Sequence, residues 1–411
     1  MVNPGLYIHI PFCRSKCAYC DFFSMPLQAA TEEIFDRYCQ ALLTELRLRR
    51  HEVGSDGFST IYIGGGTPTA LPSHLLLNLI RHLRQEGCPS GIREFTVEAN
   101  PEDISEQSIV ELRQAGVDRI SIGVQSFDTP QLQSVSRRHS AEESLRALQV
   151  LRDSGINYSA DLIYGLPGQT VESWERQLDT LLSFRPPHFS AYLLSYEPGT
   201  RLYAMRSTGK VQEASEATAV EMYRILCESA ASHDYRHYEI SNFALPSMEA
   251  KHNSAYWNLT PYLGLGCSAH SFDGVTRRYN PIDIRAYINS LLPSSGEPKA
   301  PFIVDDENEI NRLNDYIITS LRTASGLSTA LIASRWGEPL LERFLSNARP
   351  LVHAGQLVAN GFGEAGKEGE NSVIPEQENL IIPEQENLVI PERFWLTADA
   401  ILREAILDSD F

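Results

Sequence analysis

A parallel α/β sheet curling into a partial or full barrel, followed by a smaller, mainly helical domain, is the fold this 411-residue chain predicts. Three observations carry it. β-branched or aromatic runs alternate with amphipathic segments, chemistry-bearing residues fall just after the runs, and the alternation stops near residue 280. Strand-like runs lie at 6–10, 60–63, 94–98, 119–124, 158–163 and 188–194, and helical spacing at 33–50, 72–85, 105–114, 141–153 and 171–183. Residues 13–20 follow the first run, Gly64 to Pro68 the second, Glu98 to Pro101 the third and Gln125 the fourth, while Asp161 and Gly165 close the fifth. Barrels and open parallel sheets both gather function at these strand ends, so a doubly wound open sheet is the alternative.

This organisation predicts a core domain at 1–280, a Pro/Ser/Gly-rich linker at 281–301 and a C-terminal domain at 302–411. The last carries helical patterns at 309–322, 328–334, 339–354 and 397–407. Within it an acidic eight-residue repeat occupies 373–392, read as a solvated insertion because so short a period fits no helical solenoid or propeller. A hydrophobic content of 42% and a charged content of 21% describe a globular chain. The net charge of -18 excludes a broad nucleic-acid or anionic-membrane surface, leaving only local basic clusters open. No apolar run is long enough to span a bilayer, and the N-terminus lacks the pattern of a secretory signal, so the expected compartment is the cytoplasm. Hydrolase signatures such as G-x-S-x-G, H-E-x-x-H and a P-loop are missing.

Cys13, Cys17 and Cys20, spaced C-x3-C-x2-C, open directly off the first strand. Three thiolates on one short loop can hold three irons of a [4Fe–4S] cluster and leave the fourth iron open to a ligand. A zinc site completed by His9 or a more distant residue is the alternative. The Gly64–Gly66 run, one loop away, lets backbone groups approach a ligand closely.

The cysteine spacing, preceded by Tyr7, His9, Pro11 and Phe12, resembles the radical S-adenosylmethionine (SAM) superfamily. Within it the chain looks like the branch of oxygen-independent coproporphyrinogen III oxidases and the related heme chaperones of HemW type, closely over about residues 5–280 and more loosely beyond. The resemblance implies a partial (β/α)6 TIM-like barrel and a winged-helix-like C-terminal domain. It also implies a [4Fe–4S] cluster, SAM on the open iron, and an electron from the cluster that can cleave SAM to a 5′-deoxyadenosyl radical. Gly65, Gly66 and Thr67 would then meet the methionine part of SAM, Glu98, Gln125, Arg137 and Asp161 would line the rest of the pocket, and Tyr7 and Tyr19 would pack near cluster or adenine. From the residues alone, Glu98 and Asp161 also read as helix caps or loop ion pairs, and Arg137 as a solvent-facing or propionate-binding cation.

Two departures separate the branches. Oxidases carry a fourth cysteine two positions past the third, where this sequence has Phe22, and a longer segment before the first strand. By contrast, His252, Asn253, Tyr256 and Trp257 match the H-N-x-x-Y-W motif of the heme chaperones, in which an imidazole can ligate heme iron and aromatic rings can stack on the macrocycle. A satisfied core histidine is the other reading. Cys267 and His270 are further candidate ligands that loop packing explains equally well. The resemblance therefore implies a heme chaperone that receives heme or porphyrin and passes heme to an acceptor protein, with an electron donor and a homodimer as further expectations. Radical decarboxylation of a porphyrinogen is the alternative.

Overall fold

A computed structural model describes residues 4–53, 57–88, 91–305, 307–360 and 387–408. Most of the eight-residue repeat lies outside these. The chain divides into two units, the second consisting mainly of residues from 307 onward.

In the first unit, strands and helices alternate as β1 (Gly5–Ile10), α1 (Glu32–Arg49), β2 (Thr60–Gly65), α2 (Ser73–Gly87), β3 (Glu94–Ala99), α3 (Glu106–Ala115), β4 (Arg119–Gln125), α4 (Ala141–Ser154), β5 (Asn157–Tyr164), α5 (Val171–Phe184), β6 (His188–Leu193) and α6 (Glu216–Ser232). Strands β1 to β6 lie side by side in chain order and parallel, as crossover helices require. The helices start where short polar side chains cap them: Thr31, Ser105, Ser140 and Thr170 each accept a backbone N–H of the first turn.

Smaller elements extend both edges. Beyond β6 lies antiparallel β7 (Asn242–Ala244), followed in sequence by the short helix α7 (Lys251–Trp257). On the other side β8 (Tyr262–Leu265) pairs parallel with β1, and β9 (His270–Phe272), β10 (Arg277–Tyr279) and β11 (Ile303–Asp305) continue antiparallel. The expected linker at 281–301 instead contains helix α8 (Ile284–Leu291), capped by Asp283 and burying Ile284, Tyr287, Ile288 and Leu291. Its apolar stripe at helical spacing outweighs the flanking prolines and serines.

Side chains alternate along the six strands in a way that fixes where ligands can go. Leu6, Ile8, Ile10, Ile61, Ile63, Phe95, Val97, Ile120, Ile122 and Leu162 form the apolar set. Thr60, Thr96, Arg119, Ser121, Ser159, His188 and Ser190 alternate with them and are also buried. Part of this buried polar face pairs internally: Ser159 Oγ lies 2.7 Å from His188 Nδ1, and Ser190 Oγ donates to Asp161 at 2.8 Å, whereas Thr96 Oγ1 and Arg119 Nε and Nη2 make no hydrogen bond within the described residues.

The second unit contains α9 (Glu309–Leu321), α10 (Thr329–Trp336), α11 (Glu338–His353) and α12 (Ala398–Ala405), with a three-stranded antiparallel sheet of β12 (Leu327–Ser328), β13 (Val358–Asn360) and β14 (Asn387–Val389).

A buried ion pair anchors α1 and α8 to the edge strands. Glu45 and Arg49 are both almost fully buried, and Glu45 Oε1 accepts from Arg49 Nη1 at 2.7 Å and Asn280 Nδ2 at 2.8 Å. Its Oε2 accepts from Tyr287 at 2.5 Å and from the Gly266 N–H at 3.0 Å. Glu45→Leu takes one of two carboxylates from Arg49, which keeps Glu52 at 3.2 Å, and leaves Asn280 and Tyr287 without their acceptor. It is expected to cost about 2–4 kcal/mol in denaturant unfolding.

Candidate functional site

The loop carrying Cys13, Cys17 and Cys20 is tied down at several points. The Ala18 N–H donates to the Val135 carbonyl at 2.9 Å, and the Ala18 carbonyl accepts from the Leu202 N–H at 2.7 Å. Ala18 itself packs in an apolar cluster with Val135, Ile163, Leu166, Leu194 and Leu202, against which Tyr19 rests. Arg14 pairs with Asp103 at 3.0 Å, and Asp103 also accepts from Thr69 at 2.9 Å, joining the loops after β1, β2 and β3.

The glycine run locks onto the same loop. Gly66 N–H donates to the Ile10 carbonyl and Thr67 N–H to the Phe12 carbonyl, both at 2.8 Å. A Cβ on Gly66 would stand 2.7 Å from each of those oxygens, so only glycine fits, and Gly65 turns at φ +104°.

A cavity of about 500 Å³ opens at these strand ends. It is lined by Cys13, Cys17, Cys20, Tyr19, Gly65, Gly66, Thr67, Glu98, Gln125, Arg137 and Asp161, which brings together all but one of the residues expected around cluster and SAM. The exception is Tyr7. Its hydroxyl lies 3.0 Å from His9 Nδ1 and its ring stacks on Tyr62, while His9 Nε2 meets the Phe23 carbonyl at 3.0 Å, so Tyr7 buttresses the cysteine loop from beneath.

A hydrogen-bonded bridge connects two of the cysteines. Thr67 Oγ1 donates to Cys13 Sγ at 3.7 Å and accepts from Asn100 Nδ2 at 3.2 Å. Asn100 Oδ1 accepts from Arg137 Nη2 at 2.6 Å, and Arg137 Nη1 donates to Cys17 Sγ at 3.5 Å. The Gly123 carbonyl takes a second bond from Arg137 at 2.6 Å. Arg137 thus faces the cysteines from the cavity wall, not the solvent. Asn100 escaped the sequence reading because a single loop asparagine has no periodicity to reveal it. Burial raises the Cys13 thiol above its ordinary range and pushes Cys20 up to about 11, with Cys17 adding to both. Three thiols lining one cavity, one of them hydrogen-bonded to a guanidinium, form a donor set for a cationic iron–sulfur group, which requires and stabilises the thiolates.

Two carboxylates occupy the cavity wall, and neither caps a helix. Glu98 accepts from Tyr62 OH at 2.7 Å and from the Gly65 N–H at 3.1 Å, and burial with the nearby Asp161 raises its pKa to about 7. Asp161 accepts from Ser190 at 2.8 Å and Ser121 at 3.2 Å, and its pKa is raised by burial. Gln125 ends β4 at φ 64°, where the register against β5 shifts, a bulge of the kind that re-aims a side chain beside a site. Phe22, Tyr192 and Leu193, exposed by 65%, 43% and 41%, also belong to the lining.

The His252 motif lies at the other end of the strands. Helix α7 starts where Glu94, the first residue of β3, accepts the N–H groups of Lys251 at 2.8 Å and His252 at 2.9 Å. His252 is 1% exposed. Its Nδ1 lies 2.8 Å from Thr60 Oγ1 and its Nε2 2.8 Å from Tyr256 OH, and its ring stacks on Tyr62. Tyr256 packs edge-on against Tyr262, and Asn253 and Trp257 are half-buried. Thr60 begins β2 and Gly65 ends it, so about 16 Å of strand separates this imidazole from the glycine run. Cys267 is fully buried.

Residues 7–181 match the model of the radical SAM superfamily. The heme chaperone HemW of Bacillus subtilis (strain 168) is 36% identical over 356 residues, which cover 85% of this chain and 92% of that protein. The chain belongs to the HemW family of radical SAM proteins. The heme chaperone HemW of Escherichia coli (strain K12) is also 36% identical, over 65% of this chain and 69% of that one. Among solved structures, the coproporphyrinogen III oxidase HemN from Escherichia coli superposes with a TM-score of 0.77 over 98% of this chain and 90% of that one, at 22% identity, which establishes the shared fold. Membership implies a [4Fe–4S] cluster and SAM, and decides against the zinc and open-sheet alternatives.

Glu98 makes stability depend on pH. Its folded pKa of about 7 lies above the ordinary 4.5, so the folded state holds the proton more tightly and loses stability as pH rises between these values. Glu98→Gln is expected to stabilise the cofactor-free protein by on the order of 3 kcal/mol at about pH 8, and by much less at about pH 5. Thermal unfolding at the two pH values checks this.

Proposed function

We propose that this protein is a heme chaperone: it binds one [4Fe–4S] cluster through Cys13, Cys17 and Cys20, holds SAM in the adjoining cavity, and carries heme to an acceptor protein. The supporting observation is the convergence of three free cysteines, the glycine run and two half-buried carboxylates on one cavity, in a chain 36% identical to a protein named heme chaperone HemW.

When bound, a cluster with three cysteine ligands supplies an open iron position and a transferable electron. The protein's residues do the rest. Arg137 offsets thiolate charge at Cys17, and Asn100 and Thr67 transmit that restraint to Cys13. Backbone at Gly65 and Gly66 leaves room for the amino-acid end of SAM, whose ammonium suits the Glu98 carboxylate. Asp161 and Gln125 offer hydrogen bonds to the remaining polar groups, and Tyr19 an aromatic wall. Exposed Phe22 stands where oxidases place a fourth cysteine, which favours carriage over decarboxylation. The reading also includes a cytoplasmic site of action, an external electron donor and a separate acceptor.

His252 and Tyr256 close the floor of the barrel in this reading, since both nitrogens of the His252 imidazole already have partners.

Anaerobically reconstituted protein is expected to bind hemin saturably, deliver it to an apo-hemoprotein and release no CO2 from coproporphyrinogen III. Steady decarboxylation with 5′-deoxyadenosine formation and no saturable hemin binding would overturn the reading in favour of an oxidase. His252→Ala is expected to lower stability by about 2–4 kcal/mol, because it leaves the Thr60 and Tyr256 hydroxyls without their partner, while hemin stoichiometry stays unchanged.

A further inference from the structure

The histidine best placed to meet heme iron lies outside both the cysteine cavity and the His252 motif. His270 opens β9 on the antiparallel extension of the sheet. Register sets it opposite Tyr279 on β10, and Tyr279 opposite Ile303 on β11, so the three form a row on one face. The His270 and Tyr279 rings are 5.6 Å apart and tilted by 30°. Arg277 sits two positions from Tyr279, on the same face, with Asp305 as its register partner.

The chemistry of this row differs from that of the buried histidines. His9, His139, His188 and His252 all have ring nitrogens held by neighbours. His270 is exposed, and among the described residues no hydrogen bond holds its ring. Partial burial and Arg277 lower its pKa, so at neutral pH it carries the lone pair that iron ligation needs. Two aliphatic side chains are exposed on this extension: Ile303, in the row, by 46%, and Ile282, just beyond the Pro281 carbonyl that accepts from the Ser268 N–H, by 63%, with Arg277 and Asp305 as the charged neighbours of His270. Exposed aliphatic side chains beside an aromatic ring and an unengaged imidazole suit a flat apolar macrocycle whose central metal takes an axial nitrogen. An ionised propionate at its edge would find the Arg277 guanidinium.

We propose that heme is held on this face, with His270 as an axial ligand to its iron, Tyr279 and Ile303 against the macrocycle and Arg277 at a propionate. The proposal rests on the heme-chaperone reading and gives that heme an address on an open surface, from which an acceptor can take it.

Hemin titration of the full-length, cluster-reconstituted protein under anaerobic conditions tests it, with the Soret band and electron paramagnetic resonance (EPR) reporting ligation. His270→Ala is expected to weaken hemin binding on the order of tenfold or more and to abolish the histidine-ligated spectrum. Added imidazole should restore that spectrum, and circular dichroism should show an unchanged fold. Ile303→Asp should weaken affinity while leaving the ligation spectrum in place. Wild-type affinity and spectrum in His270→Ala would overturn the proposal and leave the chaperone reading standing. Loss of binding in a Tyr192→Ala/Leu193→Ala variant alone would overturn it in favour of the cavity mouth. If wild-type protein binds no hemin saturably, both readings fall.

Discussion

A guanidinium buried in a protein wall must find acceptors, and the arrangement of the cysteine cavity follows from where Arg137 finds them. Its partners are the Asn100 amide, the Gly123 carbonyl and the Cys17 sulfur, which come from the loop after β3, from β4 and from the cysteine loop. Through Asn100 and Thr67 the same restraint reaches Cys13. One cation therefore sets the spacing between loops that are far apart in sequence, and it supplies positive charge where thiolates must form. Gly66 completes the arrangement, since any side chain there would push the glycine run away from Ile10 and Phe12.

Beneath the cavity, the barrel strands expose one polar and one apolar series of side chains, and both are buried. The apolar series packs the helices. Within the polar series Tyr62 pairs with Glu98, and Asp161, Ser159, Ser190 and His188 form a second hydrogen-bonded group. Helix α7 closes its far end, held by Glu94 and Thr60 at the starts of β3 and β2. A half-buried carboxyl such as Glu98 is costly in its charged form, and a cationic ligand group in the cavity offsets that cost.

Much of this was legible in the sequence. Each of the six strands and nine of the helices lies within a few residues of its expected position, because their alternating and helical periods are strong. Cys13, Cys17, Cys20, Gly66, Glu98 and Asp161 meet at one cavity because all follow or end strands of one parallel sheet. What escaped has local causes. Strands β7 to β11 have three or four residues each, too few for a period to emerge. Helix α8 hid in a segment whose flanking prolines and serines resemble a linker. The His252 motif is visible in the sequence as an imidazole among aromatic residues, but its place at the strand starts depends on Glu94 and Thr60, contacts more than a hundred residues away that no spacing rule encodes.

The EPR spectrum of the reduced, reconstituted protein before and after addition of SAM tests the central claim most directly. A [4Fe–4S]+ signal whose g-values shift when SAM is added is the expected result, since the open iron acquires new ligands in the cavity walled by Gly66, Glu98 and Asp161. A cluster signal unmoved by saturating SAM, or stoichiometric zinc with no iron, would contradict it.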